Sequence, residues 1–241
     1  MMSDFKCKVC GGSGWVEHYD QDNNHTYVTE CLCQEIKRQN QRLKQSGIDV
    51  KEYKTKTFES FKAYDDSTRK MKGIALEFLK DKNATGLGFF GKSGTGKTHI
   101  CIATCYELLK KSHKSHLYFP YRKEMDKARS MRFNFLEFEK WQNEVMAKDI
   151  LFIDDLLKYV GNVWQIDSWE LGLIFNIIND RYINKRVTIF SSELSVNKII
   201  KIDEALGSRI YSIVNPYGCK CDGQNYRLKD IKLKDIKKEK V

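Results

Sequence analysis

The stretch GFFGKSGTGKTHI, residues 88–100, constrains the fold more than any other part of the sequence. It contains the pattern G-x-x-x-x-G-K-[ST] at 91–98, between the apolar runs GLGFF and HICIATCYELL. A loop of this pattern joins a buried strand to a helix, and its backbone N–H groups surround the phosphates of a nucleotide. The stretch therefore predicts a nucleotide-binding P-loop domain.

Two side chains of this loop have predicted chemical roles. Lys97 reaches the β- and γ-phosphates, and the Thr98 hydroxyl helps to hold Mg²⁺. A second motif supports the same site, because the apolar run 150–153 ends in Asp154 and Asp155. We expect Asp154 on the Mg²⁺ side, and Asp155 where it can orient or deprotonate an attacking water. The predicted nucleotide-binding residues are Gly91, Ser93, Gly94, Thr95, Gly96, Lys97, Thr98, His99 and Asp154.

Strand-like and helix-like segments alternate through this part of the chain. Residues 115–121 and 186–192 are rich in β-forming side chains, and 168–185 has a helical pattern. This alternation predicts a three-layer α/β domain with a parallel sheet. Ligands collect at the carboxyl ends of such strands, so we expect Ser191, Ser192 and Glu193 beside the phosphates.

Four of the eight cysteines form two closely spaced pairs, Cys7-x2-Cys10 and Cys31-x-Cys33. The N-terminus shows no secretory signal, so disulfides are not expected, and thiolates at this spacing are typical of Zn²⁺ ligands. The turn-rich centre between the pairs predicts the hairpin of a zinc ribbon. The segment has too few apolar residues for a core, so the metal would supply the folding energy.

Two alternatives to this zinc site stay open on the residues alone. The four thiols could be unligated, or His18 or His25 could replace one cysteine. After the cysteines, the sequence predicts a polar helix that ends near Gly47, followed by a linker. This arrangement favours a docking element over a part of a catalytic core.

Charge and hydropathy indicate the class of partner and the cellular location of the protein more than its function. The 42 Lys and Arg against 32 Asp and Glu give a net charge of +10. This excess suits an anionic partner such as nucleic acid or an acidic protein surface, although solubility alone would also account for it. No apolar run approaches the length of a membrane span, so we expect a cytoplasmic protein with no membrane partner.

Several segments, in their order along the chain, resemble the DnaC/DnaI-type replicative helicase loaders of the AAA+ ATPases, with the IstB transposition helpers as near relatives. The resemblance implies ATP, Mg²⁺ and Zn²⁺ as cofactors. It also implies a replicative DNA helicase hexamer and single-stranded DNA as partners, and self-association through the ATPase domain. The segments are KTFESF (56–61), GKSGTGKTH (91–99), LFIDDL (151–156), IINDRYINKRVTIFSSEL (177–194), LGSRI (206–210) and GQNYRL (223–228).

The same resemblance assigns further catalytic residues. Arg209 matches the family's arginine finger, which reaches the nucleotide of a neighbouring subunit; on the residues alone it could be an ordinary surface arginine. Glu193 stands where the family has a phosphate-sensing asparagine, so either Ser192 takes that role or the sensor is weakened, and we expect weak ATPase activity. Little or no C-terminal lid is expected, and Arg227 is a candidate to replace the arginine of that lid. The predicted catalytic residues are Asp155, Ser192 and Arg209.

The expected domains are a zinc-ribbon-like module at 1–35, a helix and linker at 36–57, an AAA+ ATPase domain at 58–228 and a basic tail at 229–241. The leading functional hypothesis is a helicase loader that docks through the zinc module. An IstB-like helper that binds duplex DNA is the alternative, although that group typically lacks a cysteine-rich front module.

Three more features have expected roles that the structure can address. A small-molecule kinase would require the arginines of 122–132 to form a lid over the nucleotide. The aromatic run 133–141 is interpreted as core and helix surface rather than as a platform for stacking bases. Cys101 and Cys105 are expected to be core thiols, and Cys219 with Cys221 makes an incomplete metal site.

Overall fold

The structure is a computed structural model that describes residues 7–112, 114–158 and 166–228. The predicted basic tail lies outside these residues. Near the N-terminus, β1 (Trp15–Asp20) and β2 (His25–Glu30) form an antiparallel hairpin in which Trp15 pairs with Glu30. The turn between them passes through Asn24 in the left-handed region, at φ +50°.

After the hairpin, helices and strands alternate. In chain order, they are α1 (Leu32–Gln45), α2 (Val50–Thr55), α3 (Asp66–Phe78), β3 (Gly86–Gly91), α4 (Lys97–Lys111), β4 (His116–Pro120), α5 (Tyr121–Met131), α6 (Phe135–Ala147), β5 (Ile150–Asp154), α7 (Ser168–Ile183), β6 (Val187–Ser192), α8 (Val196–Ile202), α9 (Glu204–Val214), β7 (Gly218–Cys221) and a short 3₁₀ helix (Tyr226–Leu228).

Five of the strands form one parallel sheet in the order β4-β5-β6-β3-β7. Both faces of this sheet are covered. Successive residues of β5 alternate between two buried clusters: Phe152 packs with α1 to α4 on one face, and Ile153 packs with α5 to α9 on the other. The predicted three-layer α/β fold is therefore confirmed.

The segment 36–57, expected to be a helix and a linker, contributes to the core on one face of this sheet. Leu43, Ile48 and Tyr53 are buried in the same cluster as the sheet residue Phe152. The carbonyl of Ser46 accepts a hydrogen bond of 2.6 Å from the backbone N–H of Tyr118 in β4. The end of α1 and one side of α2 thus pack on the α/β domain.

The cysteines outside the N-terminal cluster are buried. Cys101 and Cys105 lie on α4 and are fully buried against the sheet, as predicted for core thiols. Cys219 and Cys221 point from β7 into the same cluster. In the part of the chain that the structure describes, β7 and the 3₁₀ helix follow α9, and no helical lid lies between α9 and residue 228. None of the described helices is long and apolar enough to cross a membrane.

Candidate nucleotide site and cysteine cluster

The loop between β3 and α4 needs glycine at several positions. Gly91, Gly94 and Gly96 have φ of +138°, +74° and +93°. A Cβ at Gly94 would lie 1.8 Å from the side-chain oxygen of Asn225, and a Cβ at Gly91 would lie 2.1 Å from the carbonyl oxygen of Cys221. Both the conformation and the lack of space exclude other side chains at these two positions.

Lys97, the first residue of α4, is buried beneath this loop. Its Nζ donates hydrogen bonds to the carbonyls of Gly91 (2.8 Å) and Lys92 (2.7 Å). Burial lowers the pKa of Lys97 from its usual range, although nearby anionic groups oppose this effect. The loop thus holds a desolvated ammonium among backbone groups, where a phosphate can compensate its charge.

Asp154 ends β5 directly beside the loop, as predicted. Its Oδ1 accepts a hydrogen bond of 2.9 Å from the Thr98 hydroxyl and another from the Ser191 hydroxyl. Its Oδ2 accepts a hydrogen bond of 2.9 Å from the Tyr118 hydroxyl. The carboxylate and the Thr98 hydroxyl form an oxygen donor pair at the mouth of the loop, which suits Mg²⁺.

Asp155 follows β5 in the left-handed region, at φ +55°. Its backbone N–H donates to the Ser191 hydroxyl at 2.9 Å, and its carboxylate forms an ion pair with Lys158 at 2.9 Å. A non-glycine residue adopts this conformation uncommonly, and such positions cluster at functional sites. The conformation directs the Asp155 side chain toward the cavity described next.

A cavity of about 480 Å³ lies above the loop; we call it the nucleotide cavity. Residues 93–99 line one side, together with Asp155 and Glu193. Tyr64 and Tyr226 line another side and stack on each other with ring centroids 5.0 Å apart. Sequence reasoning missed this tyrosine pair; the only available signal was that both residues lie in or near segments that carry the family resemblance.

His99, a predicted nucleotide-binding residue, also lines the nucleotide cavity. Its Nε2 lies 3.0 Å from the Thr57 carbonyl and 3.2 Å from the Ser60 hydroxyl. Burial lowers the pKa of His99, and its ring packs edge-on against Phe61. His99 therefore joins the segment before α3 to the P-loop.

The structure does not bring Ser192 into the nucleotide cavity. Its hydroxyl is buried, donates to the Leu156 carbonyl at 2.7 Å and accepts from the Leu194 N–H at 3.1 Å. The cavity is lined instead by Glu193, one residue further along. The β6 strand is pleated, so Ser192 points away from the side on which the adjacent Ser191 contacts Asp154.

Arg209 and Arg227 occupy different places. Arg209 lies on α9 outside the nucleotide cavity, where its Nε donates to the Asn179 side chain at 2.5 Å and its guanidinium lies 5.0 Å from the Phe175 ring centre. Arg227 lines the cavity and is exposed. The described residues therefore place Arg227, but not Arg209, beside a nucleotide bound in the same subunit.

The four N-terminal cysteines converge on one point. Their sulfur atoms all lie within 4.8 Å of one another, with Cys7 and Cys31 separated by 3.7 Å and Cys10 and Cys33 by 3.5 Å. Four sulfurs at the Zn–S distance of about 2.3 Å around a tetrahedral zinc would lie roughly 3.8 Å apart. The donor set and its spacing fit Zn²⁺.

Backbone amides of the glycine-rich stretch after Cys10 support the cysteine cluster. The Gly14 N–H donates to the Cys10 sulfur at 3.3 Å, and the amides of Gly14 and Gly12 lower the pKa of Cys10 to about 6. His18 lies elsewhere, with its Nε2 2.7 Å from the Thr29 hydroxyl and its ring stacked on Tyr27. Among the described residues, the cluster contains cysteines alone.

Comparison with known proteins agrees with this geometry. The sequence profile of the "IstB-like ATP binding protein" family matches residues 18–230. YqaM, an uncharacterized protein of Bacillus subtilis (strain 168), is 31% identical over 200 residues, which cover 80% of this chain and 63% of YqaM. The replicative helicase loader DnaI of the same organism is 29% identical over 147 residues, which cover 59% of this chain and 45% of DnaI.

A solved structure supports the fold independently. The crystal structure of the DnaC helicase loader superposes with a TM-score of 0.57 at 22% identity, covering 71% of this chain and 98% of that one. The chain spans less than two thirds of the length of the two curated relatives. Because the family profile matches most of the chain, including both nucleotide motifs, this protein is a member of the IstB-like ATP-binding family.

Proposed function

We propose that the protein is an ATP-dependent helicase loader that binds a replicative DNA helicase hexamer through its N-terminal cysteine module and helps to deliver the helicase to single-stranded DNA. The observation that carries this proposal is the pairing of a well-formed nucleotide site with a separate metal-type module, residues 7–33, on one chain. The name of the relative DnaI, a replicative helicase loader, supports the choice of partner.

In this proposal the P-loop, Lys97, Thr98 and Asp154 hold ATP and Mg²⁺. Bound Mg-ATP supplies a phosphoryl group that water can attack, and Asp155 orients that water. Asp155 is suited to this role because its backbone is fixed by Ser191 and its carboxylate faces the nucleotide cavity. The change Asp155→Asn should keep ATP binding and lower phosphate release about a hundredfold.

Arg209 would act on a neighbouring subunit. Its guanidinium lies on the surface of α9, away from its own nucleotide cavity, and is held by Asn179 and by the ring of Phe175. An arginine fixed in this way can stabilise phosphoryl charge across an interface when subunits associate. ATP would then shift partner affinity by favouring one assembly state over another.

Support for contact with single-stranded DNA comes from the turn between α5 and α6. The run 133–141 was expected to be core and helix surface, yet its first residues are strongly exposed: Phe133 is 87% exposed and Phe135 72% exposed. The guanidinium of Arg132 lies 4.5 Å from the ring centre of Phe133. Exposed aromatic rings beside a cation suit stacking of unpaired bases.

Support for docking through the cysteine module comes from the hairpin. One face of β1 and β2 exposes large apolar side chains, including Trp15 (55% exposed), Tyr19 (60%) and Val28 (63%). In the β1–β2 register these residues alternate with their neighbours and lie on the same face. The same face carries Glu17, Thr26 and Glu30, so it combines exposed apolar side chains with polar ones, which is suited to a protein partner.

The test is light scattering after size exclusion on the full chain mixed with a replicative helicase hexamer, with and without ATP. Deleting residues 1–57 would also remove the buried Leu43, Ile48 and Tyr53, so a surface variant is the better probe. The double change Trp15→Ser and Tyr19→Ser should abolish the complex, whereas Phe133→Ser should keep the complex and weaken single-stranded DNA binding. An undiminished complex with the double variant would contradict docking through the module.

The family name favours a second candidate, an IstB-like transposition helper that binds duplex DNA. Absence of any helicase complex, together with tighter binding of duplex than of single-stranded DNA, would support this candidate. The kinase alternative has no support, because among the described residues Arg122, Arg129 and Arg132 do not line the nucleotide cavity. Arg129 instead forms ion pairs with Asp167 and Glu170.

A further inference from the structure

An acidic side chain lies where the nucleotide site should tolerate it least. Glu193 follows β6 and lines the nucleotide cavity together with Lys97 and Asp155. Two carboxylates facing the phosphates of a bound nucleotide would repel them, and partial burial strengthens that repulsion. The site therefore requires a compensating cation near Glu193.

Lys158 supplies that cation. Its Nζ lies 3.1 Å from Glu193 Oε1 and 2.9 Å from Asp155 Oδ2, so one ammonium bridges both carboxylates. All three side chains line the nucleotide cavity, and each remains 35% to 40% exposed. Partial burial would lower the pKa of Lys158, but its hydrogen bonds to Asp155 and Glu193 raise the pKa overall and keep the ammonium charged.

Glu193 also has more than one polar partner. Burial would raise the pKa of Glu193, but hydrogen bonds from Lys158 and from the P-loop residue Ser93 lower it overall. The carboxylate therefore stays ionised and connects the P-loop to Lys158. These contacts join the phosphate-binding loop, the end of β6 and the residues after β5 in one polar network.

We propose that Lys158 is the residue that distinguishes ATP from ADP, by pairing with the terminal phosphate, and that Glu193 is a positioning residue that holds Lys158 for this contact. The proposal rests on the proposed nucleotide-binding function. The terminal phosphate brings additional negative charge to the end of the cavity where Lys158 bridges the carboxylates. Movement of the Lys158 side chain from the two carboxylates to that phosphate would free the Asp155 carboxylate. Recognition of ATP and activation of the attacking water would then depend on the same side-chain movement.

The test is a competition titration of a non-hydrolysable ATP analogue and of ADP against a fluorescent nucleotide. Lys158→Ala should weaken binding of the ATP analogue about tenfold, since a charge-assisted contact is lost, and should leave ADP binding nearly unchanged. The matched control Lys201→Ala removes an exposed lysine of α8 and should change neither affinity.

A second variant separates sensing from a merely structural ion pair. Lys158→Ala leaves Glu193 uncompensated, so adding Glu193→Asn should restore part of the preference for the ATP analogue. If the ion pair is only structural, these variants will lower the melting temperature while the ratio of the two affinities stays constant, and the proposal is then wrong.

The outcomes also separate this inference from the proposed function. If the wild-type protein binds neither nucleotide, the nucleotide-binding function itself fails. If it binds both, Lys97→Ala abolishes both, and Lys158→Ala leaves their ratio unchanged, then only the role of Lys158 fails.

Discussion

The cysteine module and the nucleotide-binding domain are stabilised in different ways. In β2 of the module every residue is exposed, whereas in β5 of the domain every residue is buried. The module brings four sulfur atoms together at one end of a hairpin, and the domain buries apolar side chains on both faces of its sheet. One chain thus combines a unit suited to metal-dependent folding with a unit that folds by hydrophobic burial.

The largest effect on stability is expected when a ligand of the metal site is removed. Cys10→Ser should lower the zinc content to near zero and unfold the hairpin, because binding of a structural zinc contributes on the order of 10 kcal/mol to the folding of small modules. The nucleotide-binding domain should keep its melting temperature. Elemental analysis gives the zinc content, and hydrogen exchange of 15–30 compared with 86–91 locates the unfolding.

The matched control is Cys101→Ala, which removes a buried thiol of α4 and should leave the zinc content unchanged. Slow hydrogen exchange in the hairpin after Cys10→Ser would show that the module has a stabilising core of its own. The contrast between the two units would then be wrong.

The complementary experiment truncates a buried apolar side chain of the nucleotide-binding domain. Phe152 is fully buried in the central part of the sheet, beside the ring of Tyr118. Phe152→Ala should lower the free energy of unfolding of the domain by about 3–5 kcal/mol, through lost burial and the cavity left behind. Urea unfolding followed by far-UV circular dichroism measures this change. The zinc content of the protein should stay the same.

Val28→Ala is the comparison on the module, because Val28 is 63% exposed. It should change the stability of either unit by less than about 0.5 kcal/mol. A loss as large as that of Phe152→Ala would mean that the exposed hairpin face is packed against something in solution.

The same contrast explains what the sequence could predict. The P-loop, the Asp154–Asp155 motif and the cysteine pairs are local patterns, and the structure places each of them as expected. The contacts between distant segments were not predictable in this way. The pairing of Tyr64 with Tyr226, and of Lys158 with Glu193, depends on how loops from separate elements meet above the sheet.

At two other places the structure differs from the sequence prediction, and there too the cause is packing between distant segments. Hydrophobic spacing in a polar helix did not reveal that Leu43, Ile48 and Tyr53 cover the sheet, because few apolar positions carry that packing. The aromatic run 133–141 was interpreted as core and helix surface, and Trp141 is buried as this requires, but Phe133 lies in a turn between two helices where no neighbouring element among the described residues covers it.

A smaller effect than that of Phe152→Ala is expected for a third mode of stabilisation, in which polar contacts close the nucleotide cavity. The Tyr226 hydroxyl donates to Asp65 at 2.5 Å, and the backbone N–H of Thr68 donates to the same carboxylate at 2.7 Å. These bonds, that of Tyr226 foremost, lower the pKa of Asp65 to about 2. Tyr226→Phe should cost about 1 kcal/mol at neutral pH, the usual value of one hydrogen bond.

This loss should depend on pH with a definite sign. The folded pKa of Asp65 lies below its unfolded value of about 3.9, so the ionised contact stabilises the fold fully above that value and is lost as the pH falls toward 2. The stability gap between Tyr226→Phe and the wild type should therefore narrow from pH 5 to pH 2.5, whereas Tyr211→Phe, at an exposed position on α9, should show no gap. Because Tyr226→Phe keeps the ring that stacks on Tyr64, a gap that stays constant with pH would mean that the hydroxyl stabilises the fold through a contact other than the ionised Asp65 carboxylate, and the role given to that carboxylate would then be wrong.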